Sequence, residues 1–219
     1  MAGNLAGAES VIDDFTSGSI TIFSYAMPER DIQVGEMAGG ERDTSITAGQ
    51  LYLNDDRAPG AALVTTAESD EGGLTLRWGV SGELNLDLSQ DTAIRLTFGP
   101  RTRGQLQFNL FASTTGTGFS AYYNGFYDTF DAGAGGRRFT LDLRFADFAH
   151  NFGASPDYRV NFADVDNLTL DLLGGQYELE KVESVALADG SGGAGSIGAW
   201  VLLPLGLGAW RRLMRVRRR

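Results

Sequence analysis

The densest concentration of possible chemistry is Phe119-Ser-Ala-Tyr-Tyr-Asn-Gly-Phe-Tyr-Asp-Thr-Phe130, with six aromatic rings in twelve residues. Sugars present flat C–H faces that stack on electron-rich rings, while amide and carboxylate groups satisfy the hydroxyls at their edges. Tyr122, Tyr123, Asn124, Tyr127 and Asp128 are therefore the candidate glycan-binding residues. The same spacing also fits a hairpin in which alternate rings fill a core, since Tyr and Phe favour strands. Both readings stand on the sequence.

Other chemistry is sparser. Acidic groups cluster at Asp13-Asp14, at Asn54-Asp55-Asp56 and at Asp164-Val-Asp-Asn167. Calcium takes six to eight oxygens, so Asp164, Asp166 and Asn167 are a candidate structural calcium site. They match only the start of a calcium loop, and turn-making explains such residues as well. No other cofactor is implied. His150 is the only His and there is no Cys, which excludes a multi-His zinc site and thiolate chemistry. A Ser-His-Asp triad would have to use His150, which lies between Phe148 and Phe152 and reads as a packed or surface turn residue. Neither a nucleophile elbow nor a phosphate-cradling glycine loop occurs in convincing context, so no catalytic residue is assigned. Two carboxylates could serve a glycosidase, but no spacing pairs two of them. The expected function is binding of glycan or matrix polymer, or a structural role. A secreted polysaccharide-active enzyme is the alternative.

These residues sit on strands. Period-2 alternation runs through Leu74–Trp78, Glu83–Leu88, Ala93–Phe98, Gln105–Leu110, Arg138–Leu143, Leu168–Leu172 and Tyr177–Val182. Shorter β-branched or apolar runs lie at 11–15, 20–25 and 61–66. Residues 44–47 and 50–53 flank Ala48-Gly49 as in a hairpin. Residues 145–152 break the alternation and predict a short helical turn. About twelve strands without crossover helices predict mostly antiparallel sheets, packed face to face as a β-sandwich of jelly-roll type over 11–188.

The charge is divided unevenly along the chain. The last 29 residues hold six Arg and no acid; the remaining 12 basic residues face all 28 acidic ones, a net of −16. An acidic body disfavours nucleic acid as a partner.

The tail has three parts: a Gly/Ser linker over 189–196, a 14-residue uncharged run from Ile197 to Trp210, and a cationic end made of Arg211, Arg212, Arg215, Arg217, Arg218 and Arg219. The run is short for a membrane span, which needs about 17–25 residues, but extends to 17 when counted from Ala194. Pro204 and the glycines are tolerated in such helices, Trp210 suits the interface, and the Arg cluster orients its own end to the cytoplasm. Residues 1–10 contain no basic start and no apolar core, so they do not read as a signal peptide; a signal sequence upstream is expected.

The order of these parts resembles the bacterial GlyGly-CTERM sorting tail. The residues that carry the resemblance are Gly192, Gly193, Ala194, Gly195 and Ser196, the run 197–210, and the Arg cluster. The resemblance implies a surface or secreted protein of a Gram-negative bacterium, a rhomboid-like sorting protease (rhombosortase) as partner, cleavage near Gly192, and type II secretion. Until processed, the protein would be anchored in the inner membrane with its body outside the cytoplasm. The related PEP-CTERM tail carries a Val-Pro-Glu-Pro motif that is absent here. In the body, the opening Val11-Ile-Asp-Asp-Phe15, the run 167–171 and the closing stretch 177–183 resemble jelly-roll carbohydrate-binding modules. This is an analogy of fold, which does not by itself transfer function.

Overall fold

The computed structural model describes residues 10–24, 29–66, 72–82, 84–114, 119–129, 134, 136–150 and 160–187. The sorting residues Gly192 to Gly195, the run 197–210 and the Arg cluster lie outside the described residues. Among the described residues, twelve strands occur in chain order: β1 Ser10–Asp13, β2 Ile20–Ser24, β3 Glu29–Val34, β4 Glu41–Leu53, β5 Ala62–Thr65, β6 Gly72–Trp78, β7 Ala93–Phe98, β8 Arg103–Thr114, β9 Phe119–Asp128, β10 Phe139–Arg144, β11 Ala149–His150 and β12 Asn167–Val185. Every pairing between them is antiparallel.

Two sheets face one another. Sheet A runs β2, β4, β5, β12, β7, β10, with β1 continuing the β5 side of β12; sheet B runs β3, β4, β6, β12, β8, β9, β11. Strands β4 and β12 belong to both, contributing their N-terminal halves to sheet B and their C-terminal halves to sheet A. Each changes sheet near a register shift, between Ile46 and Ala48 in β4 and between Gly174 and Gln176 in β12. Such bulges bend a strand and let it turn a corner between sheets.

One hydrophobic core fills the space between the sheets. Leu168, Leu170 and Leu172 come from the sheet B half of β12, and Leu179 and Val182 from its sheet A half. This is what period-2 alternation requires of sheets with one buried and one solvated face.

The expected strands 168–172 and 177–182 are thus one strand. So are 44–47 and 50–53, and the hairpin expected at Ala48-Gly49 is overturned. Each half of β4 pairs with other strands instead: β3 and β6 before the bulge, β2 and β5 after it. Gly49 has φ +93°, and a Cβ there would stand 2.7 Å from the Thr65 carbonyl oxygen, so the bend admits only glycine without strain. The strand expected at 83–88 is a single bridge between Leu86 and Val165, with Asn85 in a left-handed conformation that interrupts the ladder. The turn expected over 145–152 is a 3-10 turn at Phe145–Asp147, followed by β11. Strand β3 carries no clear alternation and was not expected.

A buried polar knot ties β1 to sheet B. Arg42 Nη1 donates to Asp13 Oδ2 at 2.6 Å, and Trp78 Nε1 donates to the same oxygen at 2.9 Å. Arg42 Nε also donates to Gln33 Oε1, and its Nη2 to the Ser17 and Gly18 carbonyls. Its guanidinium lies 5.2 Å over the Phe15 ring. All of Arg42, Asp13 and Trp78 are buried, so these bonds replace water for each polar group.

Candidate functional site

Sheet B has an outer face whose composition follows from register. On β9, alternation sends Tyr122, Asn124, Phe126 and Asp128 outward. Across the ladder they meet Phe111, Asn109, Gln107 and Gln105 of β8. On β12, Thr169, Asp171 and Leu173 point out beside them, opposite Arg77, Thr75 and Gly73 of β6. The face therefore runs from aromatic and amide groups on β8 and β9 to charged groups on β6 and β4.

The aromatic end is accessible. Phe126 is 50% exposed and Phe111 37%. The Phe111 and Tyr122 rings are neighbours, with centroids 6.2 Å apart at 35°. Asn109 lies directly across from Asn124, with Gln107 one step along, so amide donors and acceptors alternate with the rings. Gln105 Nε2 donates to Asp128 Oδ2 at 3.1 Å and closes this end.

The five expected glycan-binding residues are divided between two sides of β9. Tyr122, Asn124 and Asp128 stand on the outer face. Tyr123 and Tyr127 point inward, where each packs partly buried against the core. Tyr123 stacks on Phe108 at 6.1 Å and meets Phe148 at 5.6 Å; Tyr127 stacks on Phe139 at 4.9 Å. Burial raises the hydroxyl pKa of both, with nearby Asp147 adding to the effect at Tyr123. Gly125 sits between them on the inner side, where an added Cβ would lie 2.2 Å from the Phe108 ring. Glycine here lets Phe108 lie flat against the back of the platform strand.

Phe126, Phe111, Asn109 and Gln107 were not among the expected site residues. The alternation of Gln105-Leu-Gln-Phe-Asn-Leu-Phe111 was the signal that could have found them, since it places the amides and Phe111 on one wet face. The Leu74–Trp78 alternation puts Arg77 on a wet face, but that Arg77 and Arg30 meet over Asp43 comes only from strand pairing, which no local pattern reveals.

At the charged end, Asp43 of β4 is opposite Arg77 of β6. Arg30 Nε donates to Asp43 Oδ1 at 2.6 Å, and Arg77 Nη1 stands 3.9 Å from Oδ2. Asp43 raises the Arg30 pKa through that hydrogen bond and its charge. In the middle, Thr75 Oγ1 donates to Asp171 Oδ1 at 2.6 Å.

Of the candidate calcium residues, Asp164 and Asp166 precede β12 and Asn167 is its first residue. Among the described residues no group of three or more acidic, His or Cys side chains is placed to hold a metal. The Asp164 carbonyl accepts from Thr114, Asp166 is buried, and Asn167 opens β12. The other acidic clusters serve structure: Asp13 lies in the buried knot, and Asp55 accepts from the Arg57 and Ala58 backbone N–H groups in a turn. His150 lies on β11, paired with Ala121.

No protein-family profile matches the chain, and no curated protein does. Among solved structures it is similar to the family 11 carbohydrate-binding module of the cellulosomal cellulase Lic26A-Cel5E of Clostridium thermocellum. That comparison has a TM-score of 0.42 and 12% identity, covering 82% of this chain and 95% of the other. It is also similar to CtCBM11 in solution, with a TM-score of 0.42 and 14% identity over 86% of this chain and all of the other. At that TM-score and identity the likeness carries nothing over to this chain.

Proposed function

We propose that this protein is an exported glycan-binding module of jelly-roll type that holds a polysaccharide on the outer face of sheet B. The observation that carries this reading is a row of exposed rings on one face, with the Phe111–Tyr122 pair and, four residues further along β9, the half-exposed Phe126, and the amides of Gln107, Asn109 and Asn124 between them. Rings that stay in water while their neighbours on the same strand fill the core keep much of their apolar surface available, and they match the apolar faces of sugar rings. The face's carboxylates Asp43 and Asp171 are engaged by Arg30 and Thr75, which favours holding a chain over hydrolysing it.

The test is affinity electrophoresis of the protein and its Tyr122→Ala and Phe126→Ala variants through gels containing neutral and acidic polysaccharides. Each variant should lose at least about tenfold in affinity, about 1.4 kcal/mol, for the polymer that retards the parent. Thermal melting should change little. Unchanged retention in both variants would overturn the site.

We also propose that residues 189–219 act as a sorting tail that a rhomboid-like protease removes near Gly192, after anchoring in the inner membrane. The uncharged run followed by six Arg supports it. Intact mass of protein released from its host tests it: a product ending near Gly192 is expected, and one retaining Arg219 would end the idea.

A further inference from the structure

A single line of residues crosses sheet B at right angles to its strands. Register places Asp43 opposite Arg77, Arg77 opposite Thr169, Thr169 opposite Phe111, and Phe111 opposite Tyr122. From Arg77 on β6 to Tyr122 on β9 is three strand spacings, about 14 Å. That is the reach of a short oligosaccharide. The two ends differ in chemistry: rings and amides at one, guanidinium groups at the other.

The guanidinium end holds an imbalance. Arg30 and Arg77 reach Asp43 from its two flanking strands, and one carboxylate cannot neutralise two cations. Asp43 is buried beneath them, whereas the Arg30 and Arg77 side chains are 54% and 51% exposed. Arg30 takes the short bond. Arg77, at 3.9 Å, is beyond hydrogen-bond distance from that carboxylate. Its planar fork of N–H donors suits two-point binding of another carboxylate.

Building on the glycan-binding reading above, we infer that the ligand is an acid-bearing glycan, a polyuronate, lying across the strands with a carboxylate on Arg77 and Arg30 and sugar rings on Phe111 and Tyr122. A neutral chain would offer Arg77, which stands 3.9 Å from Asp43, no carboxylate within hydrogen-bond distance. The net negative charge of the body does not forbid this, because charges beyond about 8 Å are largely screened at physiological ionic strength. Local contact decides the outcome.

The experiment compares each polyuronate with its own methyl ester, so that only the charge on the carboxyl group changes. The full chain is run through polygalacturonate and alginate gels and through gels of their esterified forms. The acid form of at least one should bind at least tenfold more tightly than its ester. In Arg77→Gln and Arg30→Gln that ratio should fall toward one, with melting temperature as the control for folding. Tyr122→Ala should weaken both forms and leave the ratio intact. Equal binding of acid and ester, or a ratio indifferent to both Arg variants, would overturn the inference. Retention by a neutral glucan with none by either polyuronate would also overturn it while the glycan-binding reading survives. No retention by any polymer would end both.

Discussion

The two sheets share one core but present opposite outer surfaces. Sheet A is laced with ion pairs that its own residues complete. Arg95 grips Asp142 through two bonds of 2.7 and 3.1 Å, Arg138 grips Glu180 through bonds of 2.6 and 2.9 Å, Arg101 pairs with Glu178, and Lys181 with Glu183. Sheet B shows rings, amides and two arginines sharing one acid. On sheet A most charged side chains are paired with one another, and its exposed ring, Phe23 of β2, stands edge-on to Tyr52. On sheet B hydrogen-bonding capacity is left over beside exposed rings. A binding face is recognisable here less by which residues it contains than by what they have not yet spent.

Both surfaces depend on the same interior, so the largest effect should erase the distinction altogether. Arg42→Met leaves Asp13 buried without its cation. Breaking a buried pair in this way costs about 3–5 kcal/mol. Chemical denaturation should show that loss, with β1 released from β12 and protease cleavage appearing near residue 14. A variant that remains within about 1 kcal/mol of the parent would mean the knot does not hold β1.

The next effect should touch sheet B alone. Gly125→Ala forces a methyl group to within 2.2 Å of Phe108, and overpacking of this kind costs about 1–3 kcal/mol. Because Phe108 lies behind the platform strand, polysaccharide retention should fall along with stability. Loss of stability with retention unchanged would separate the face from its support.

How much of this contrast could be read in the chain itself depended on range. The period-2 runs at 93–98 and 105–110 became β7 and β8, because alternation is a local signal and each strand has one wet face. The division of the aromatic run was equally local: Tyr122 and Tyr123 are adjacent, so one had to point inward. What stayed hidden was long-range. Nothing within Glu29–Val34 indicates that Arg30 will lie over Asp43, thirteen residues on, because that contact exists only once β3 has paired with β4. Likewise β4 and β12 looked like pairs of strands because a glycine in an alternating run signals a turn. Their continuity is decided by partners on both sheets, not by the glycine.

On sheet A, the expected effects are smaller and depend on pH. Glu178 is nearly buried; burial alone would raise its pKa, but hydrogen bonds from the Arg101 side chain and backbone N–H, with that residue's charge, outweigh it and hold the carboxyl below its ordinary 4.5. A lowered folded-state pKa stabilises the fold fully above the ordinary value and loses that contribution as pH falls through the lowered one. Melting temperature should therefore decline below about pH 4.5 in the parent and decline less steeply in Glu178→Gln. At neutral pH the Gln variant should cost about 1.5–3 kcal/mol, the range for hydrogen bonds to a charged group. Polysaccharide retention should not change. A drop in retention would mean that the two faces are coupled through the core.

The smallest effect is expected at the outermost pair, and it tests whether geometry alone makes sheet A stable. Arg138 and Glu180 form a two-bond fork, yet the Arg138 side chain is 69% exposed. Water competes for both groups, and holding a long side chain in one rotamer costs entropy. Exposed pairs of this kind contribute little to stability. Arg138→Gln should therefore shift the denaturation midpoint barely beyond error at 0.15 M salt, and by still less at 1 M. If the cost were nearer that of Glu178→Gln, the ion pairs of sheet A would be acting as one network. Arg138 would then be supporting Glu178 through Glu180, two residues along β12.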